Sequence, residues 1–182
     1  GLSSHDLSRL MRLTEAVASP DGTAVAVVRD VPRTLFEEED GPARRELHLL
    51  DVATGRLDPW VTGEVRVSDV AWLPDGSAIS FLAEREGDEH TALYLIPRSG
   101  GEARRVAALQ TAIRDSSWSP DGSTVALVAA DPPVEADETL EEQGFDQEIF
   151  EEDRRALAVW IAHRGDEVAE PQRLELPGSA FS

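Results

Sequence analysis

The 182-residue chain has no cysteine, one methionine and one tyrosine. Without cysteine there can be no disulfide framework and no thiolate metal site. The same absence fits a compartment that keeps thiols reduced, so a cytoplasmic location is expected. Positive charge is scarce: 17 basic residues stand against 36 acidic ones, a net charge of −19. Binding a phosphate backbone requires cations that displace counterions, so nucleic acid is excluded as a partner, and an anionic membrane surface is disfavoured for the same reason. No apolar run reaches the roughly 18–20 residues of a membrane-spanning helix. The opening GLSSHDLSRL lacks the basic start and apolar middle of a secretory leader. It begins on Gly1 rather than methionine, so a natural start upstream of it is expected.

Chemical motifs are also missing. No G-x-S-x-G nucleophile elbow, phosphate-binding G-x-x-x-x-G-K-[ST] loop or dinucleotide-binding G-x-G-x-x-G occurs. The four histidines, His5, His48, His90 and His163, have no zinc-type spacing. We therefore expect no catalytic residue, no cofactor-binding residue or cofactor, and no metal ligand within this sequence.

What the sequence does have is a repeated phrase. AVASPDGTAVAVV (16–28), DVAWLPDGSAISFLA (69–83) and DSSWSPDGSTVALVA (115–129) share a Pro-Asp-Gly triplet: Pro20, Asp21 and Gly22; Pro74, Asp75 and Gly76; Pro120, Asp121 and Gly122. Proline presets φ at the second turn position, aspartate bonds nearby backbone, and glycine takes the left-handed conformation that closes a type I turn into a hairpin. These nine residues are read as turn formers, not as metal ligands. An alternating strand follows each turn, then a third strand (ELHLLDV, ALYLIP, ALAVWIA) and a more polar fourth (RLDPWV, EARRVA, PQRLEL). Units of this size, each a four-stranded meander, are the mark of propeller blades.

The predicted fold is therefore all-β: an incomplete β-propeller over residues 1–182, with about three four-stranded antiparallel blades of the WD40 or TolB type. Blade one covers about 13–62, blade two about 66–109 and blade three about 112–176. SSHDLSRLMRL reads as a short N-terminal helix at about 4–12, capped by Ser4. Trp72 and Trp118 end the first strands of blades two and three, where blade one has Ala18. With Trp60 and Trp160 they are assigned to packing between blades. Two acidic insertions, 30–45 and 130–155, are expected on the face opposite the Pro-Asp-Gly turns. Ten of the nineteen residues from Glu135 to Asp153 are acidic. They read as solvated loops, with a rim that attracts cationic peptides as the alternative.

The opening DLSRLMRLTEAVASPDG (6–22), with LHLLDVATG (47–55) and LYLIPRSGGEARRV (93–106), resembles the N-terminal propeller of prolyl oligopeptidase-type serine peptidases, in the acylaminoacyl-peptidase and oligopeptidase branch. The resemblance runs from about residue 6 to 129. It implies a larger ring of blades, peptide substrates, and a C-terminal α/β-hydrolase domain carrying a Ser-Asp-His triad. The propeller would then gate peptide access to that domain. No residue here inherits a catalytic role. Glu37, Glu38, Glu39, Glu151 and Glu152 lack the motif that surrounds the substrate-binding glutamates of the dipeptidyl branch. The alternative is a non-catalytic protein-binding propeller of TolB or WD40 type. Three blades cannot close a ring, so self-association of this fragment is also expected.

Overall fold

The computed structural model describes residues 12–33, 41–132, 156–165 and 168–175. These residues form twelve strands in three four-stranded sheets. Sheet 1 holds β1 (Arg12–Ala18), β2 (Ala24–Val31), β3 (Arg44–Asp51) and β4 (Leu57–Val61). Sheet 2 holds β5 (Ser68–Trp72), β6 (Ala78–Ala83), β7 (Ala92–Pro97) and β8 (Arg104–Ala107). Sheet 3 holds β9 (Ile113–Trp118), β10 (Thr124–Ala130), β11 (Leu157–His163) and β12 (Gln172–Arg173). Each sheet is an antiparallel meander in chain order, which makes the described part all-β. The helix expected at about 4–12 falls outside the described residues except for its last position, where Arg12 opens β1. Residues 34–40 and 133–155, the bulk of the two acidic insertions, also lie outside them.

The strands alternate because the sheets stack face to face. In sheet 1, Ala26 pairs with Leu49 and Val28 with Leu47, so these four share one face. That face packs on Ile79, Phe81, Tyr94 and Ile96 of sheet 2. The opposite face of sheet 2 presents Leu82, Leu93 and Leu95, which pack on Val125, Leu127 and Ala162 of sheet 3. The middle sheet is thus covered on both sides. Every residue of β6 is buried, although AISFLA reads as an alternating strand. Phe81, Ile79, Leu93 and Leu127 are fully buried. At about 25 cal/mol per Å2 of apolar surface, these two interfaces are what hold the sheets together.

The repeat extends to irregularities. The pairing of first and second strands slips at Leu13/Glu15, at Ser68/Ala71 and at Val128/Ala129. The pairing of third and fourth strands slips at Leu47/His48 and Leu93/Tyr94. The slips between first and second strands recur at matching depth in all three sheets, and bulges of this kind increase local twist.

Candidate functional site

The turn edge and the seams between sheets carry most of the cross-sheet polar contacts. In the first turn the Gly22 N–H donates to the Ser19 carbonyl at 2.9 Å, and Gly22 sits at φ 69°. Gly76 and Gly122 repeat both features, with φ of 68° and 66° and bonds to Leu73 and Ser119. Asp21 Oδ1 accepts from the Ser19 hydroxyl at 2.6 Å and the Thr23 N–H at 3.0 Å. Asp121 does the same with Ser119 at 2.5 Å and Ser123 at 3.1 Å. Ser19 and Ser119 also accept from the Ala24 and Thr124 N–H groups, each at 3.0 Å. These donors favour the ionised carboxylate. The Ser19 hydroxyl, then Thr23 and Arg98, hold Asp21 far below the usual carboxylate range, and Ser119 and Ser123 lower Asp121 to about 2. In the middle turn Leu73 replaces the serine, and Asp75 is lowered by Ser77.

The turns are also joints between sheets. A Cβ built on Gly76 would meet Pro20 Cδ at 3.6 Å, and one on Gly122 would meet Pro74 Cδ at 3.4 Å. Each proline therefore packs on the glycine of the next unit. Across the first seam, Arg98 Nη1 donates to Asp21 Oδ2 at 2.8 Å, Nη2 bonds the Thr23 hydroxyl, and the guanidinium lies 5.5 Å over the Trp72 ring. Trp72 Nε1 donates to the Val17 carbonyl at 2.9 Å across the same seam. Across the second seam Trp118 Nε1 donates to Ser80 Oγ at 2.9 Å. Trp60 packs on the first core and Trp160 on the second. Ala18 is exposed, because no described strand lies on its side of sheet 1 for a longer side chain to reach.

The first strands β1, β5 and β9 carry one acidic residue each at the same depth. Glu15 accepts from the Asp69 and Val70 N–H groups at 3.2 and 3.0 Å, bridging sheets 1 and 2. Asp69 accepts from the Ser116 hydroxyl at 2.6 Å, bridging sheets 2 and 3. Burial raises the Asp69 carboxyl, Ser116 opposes the shift, and the charges of Asp115 and Glu15 add to it. Asp69 is also the one described non-glycine residue with positive φ, 51°.

On the loop between β6 and β7, Asp88 has a side chain only 3% exposed. It accepts from the Arg85 N–H at 2.9 Å, Arg105 Nη1 at 2.7 Å and the Tyr94 hydroxyl at 2.5 Å. Burial alone would raise its pKa, but these donors outweigh it and the net shift is downward. Burial and the Asp88 charge push Tyr94 up to about 12. The cluster braces the outer half of sheet 2; all its hydrogen bonds are internal, so it offers no free acid or base.

No group of three or more His, Asp or Glu side chains able to hold a metal occurs among the described residues. The Pro-Asp-Gly residues lie at three separate turns and converge on no common centre. The sequence reading missed the seam residues Arg98, Glu15 and Asp69. One signal was available: Arg98 and Arg164 each stand one position after a third strand, Pro97 and His163 being the last strand residues.

Three stacked antiparallel meanders joined at Pro-Asp-Gly turns define a β-propeller segment. No protein-family model matches the chain. It is 31% identical over 105 residues to the uncharacterized peptidase YuxL of Bacillus subtilis (strain 168), a match covering 58% of this chain and 15% of that one. The structure superimposes on the acylaminoacyl peptidase of Pyrococcus horikoshii with a TM-score of 0.63 at 16% identity, over 92% of this chain and 26% of the peptidase. It superimposes on the β-propeller domain of the Trilobed protease from Pyrococcus furiosus with a TM-score of 0.58 at 14% identity, over 93% and 44%. These matches bear out the resemblance read from the sequence: the chain has the β-propeller fold of these peptidase domains and is similar over part of its length to a peptidase. It spans well under two thirds of each of these proteins.

Proposed function

We propose that this chain is the propeller portion of a serine peptidase and controls which peptides reach a catalytic α/β-hydrolase domain encoded outside this sequence. The observation that carries the reading is the 31% identity to a peptidase over 105 residues, joined to a propeller fold shared with an acylaminoacyl peptidase. The chain's own role is then steric and electrostatic, since bond cleavage belongs to the other domain. Rigid blades are suited to it. In that role, seams fixed by apolar burial and cross-sheet hydrogen bonds would hold the propeller's aperture at a set width, so that short, flexible peptides pass and folded ones do not.

Labelling the natural gene product with a fluorophosphonate serine probe tests this. A labelled protein several times larger than this chain is expected. No labelling, under conditions that label a known serine peptidase, would remove the reading. For the isolated chain we propose self-association. The outer face of sheet 3 carries Val128, Val159 and Ile161, with Leu157 56% exposed at its end. Sedimentation of the chain at micromolar concentration is expected to show a concentration-dependent mass; a stable monomer would contradict it.

A further inference from the structure

The second seam contains a cleft of about 380 Å3 beside the middle turn. Leu73, Ala78, Leu95 and Pro97 form its apolar wall, and Arg104 and Arg164 stand at its edge. Leu73, Ala78 and Leu95 are buried, whereas both arginines are exposed. Arg164 occupies the register of Arg98: its N–H donates to the Ser123 carbonyl at 2.8 Å, as that of Arg98 does to Ser77 at 2.9 Å. Their side chains differ. Arg98 is locked onto Asp21, Thr23 and the Trp72 ring. The Arg164 guanidinium makes no hydrogen bond and no ion pair among the described residues, and it acts on Asp75 only through its field. Arg104 takes the register of Asp58, since Leu95 pairs with Arg104 as Leu49 pairs with Asp58. One of its five N–H donors goes to the Gly165 carbonyl at 3.0 Å, and no carboxylate faces it among the described residues. Among the described residues neither guanidinium hydrogen-bonds a carboxylate, so in a chain of net charge −19 the pair is a local concentration of positive charge, offset in part by the field of Asp75.

We infer that this cleft is a binding site for a small aliphatic carboxylate, with Arg104 and Arg164 holding the carboxylate and the Leu73–Leu95 wall taking the tail. A planar guanidinium matches a carboxylate in two parallel hydrogen bonds, which a neutral amide cannot reproduce. The volume lies at the low end of the 300–1,000 Å3 range of small-molecule sites, so a short tail fits and a long chain does not. Leu73 makes the site possible. A serine there, as in the first and third turns, would replace apolar wall with a hydroxyl committed to the adjacent aspartate.

The test is an NMR titration of the isotope-labelled chain with 4-methylpentanoate, its amide and inorganic phosphate. The acid is expected to give saturable shifts at the Arg104 and Arg164 side chains and the Leu73 and Leu95 methyls. The amide should bind at least about 10-fold more weakly, the scale of one charge-assisted hydrogen bond. Arg164→Gln and Arg104→Ala, both on exposed side chains, should each weaken the acid by about 10-fold while the remaining spectrum stays that of the parent. No saturation, equal binding of the amide or of phosphate, shifts of similar size at Arg56 and Arg98, or unchanged affinity in both variants would each overturn the assignment.

Discussion

The two seams of this molecule solve one packing problem with different residues. The first is aromatic and latched: Phe81 and Tyr94 stack with centroids 5.7 Å apart, Trp72 donates across to Val17, and Arg98 closes on Asp21. The second is built from leucines, with Leu82, Leu93, Leu95 and Leu127 in its core, and its arginine stays off the aspartate. Apolar burial and a tryptophan hydrogen bond are common to both, while the arginine–aspartate latch belongs to one. Cohesion between sheets is thus a property of the buried faces, and the turn edge is free to vary. That freedom is what leaves a cleft at the second seam.

Adjacent residues of β6 separate the two seams, because Phe81 faces sheet 1 and Leu82 faces sheet 3. Phe81→Ala should cost about 3–5 kcal/mol and Leu82→Ala about 2–5 kcal/mol, measured by urea unfolding. Hydrogen exchange gives the sharper reading. Phe81→Ala should speed exchange in β1–β3 more than in β9–β11, and Leu82→Ala the reverse. Equal loosening of both flanks by either variant would mean that the three sheets open as one unit and that the seams are not separable.

Next in size is a change that makes the repeat more regular. Leu73→Ser restores the serine of the other two turns and offers Asp75 a hydroxyl donor. It also removes a side chain that is 2% exposed in the second core. The loss should outweigh the repair, lowering stability by about 2–4 kcal/mol, because a buried leucine exceeds one net hydrogen bond of about 1 kcal/mol. An unchanged or raised unfolding midpoint would show that the turn bond, not the wall, controls this seam.

Asp88→Ala should cost about 1–3 kcal/mol, since it leaves Tyr94 and Arg105 without their acceptor. The Asp88 pKa is lowered in the fold, so its contribution is present above the unfolded value of about 3.9 and lost as pH falls toward the folded value. The difference between variant and parent in thermal midpoint should therefore be largest near neutrality and shrink on acidification. A constant difference would assign the effect to packing alone.

The all-β class and the three sheets were legible because turn chemistry is local. Pro20, Asp21 and Gly22 lie side by side, and their meaning needs no distant residue. The seams were not legible in the same way. Arg98 reaches Asp21 across 77 positions and Glu15 reaches Val70 across 55, so each pairing exists only once the sheets are stacked. The burial of β6 on both faces was hidden for a related reason. A strand between two sheets loses the polar side that alternation would mark, and AISFLA shows only Ser80, whose hydroxyl accepts from Trp118. The cleft was invisible because it arises from a substitution, Leu73 for serine, whose effect depends on two arginines 31 and 91 positions further on.

The smallest predicted effect lies where the inner strands of both seams meet. Asp69 joins them, receiving Ser116 from sheet 3 while its own N–H goes to Glu15 of sheet 1. Its position is unfavourable twice over: it sits at φ 51°, and its charge is partly buried facing Glu15 and Asp115. A carboxyl whose folded pKa is raised opposes folding wherever it is ionised, and the penalty is relieved as pH falls through the folded value. Asn tolerates left-handed backbone at least as well as Asp and still accepts from Ser116. Asp69→Asn should therefore stabilise the chain at pH 7, by a few tenths of a kcal/mol once solvent screening of a half-exposed site is allowed for. The gain should shrink as pH falls through the raised folded value and be lost at about pH 3, below the ordinary carboxyl value of about 3.9, where parent and variant are both largely uncharged at this position. Thermal midpoints at the two pH values decide it. A variant less stable than the parent at pH 7 would mean that Asp69 is needed as a charged link between the seams, and that Glu15 and Asp115 do not repel it.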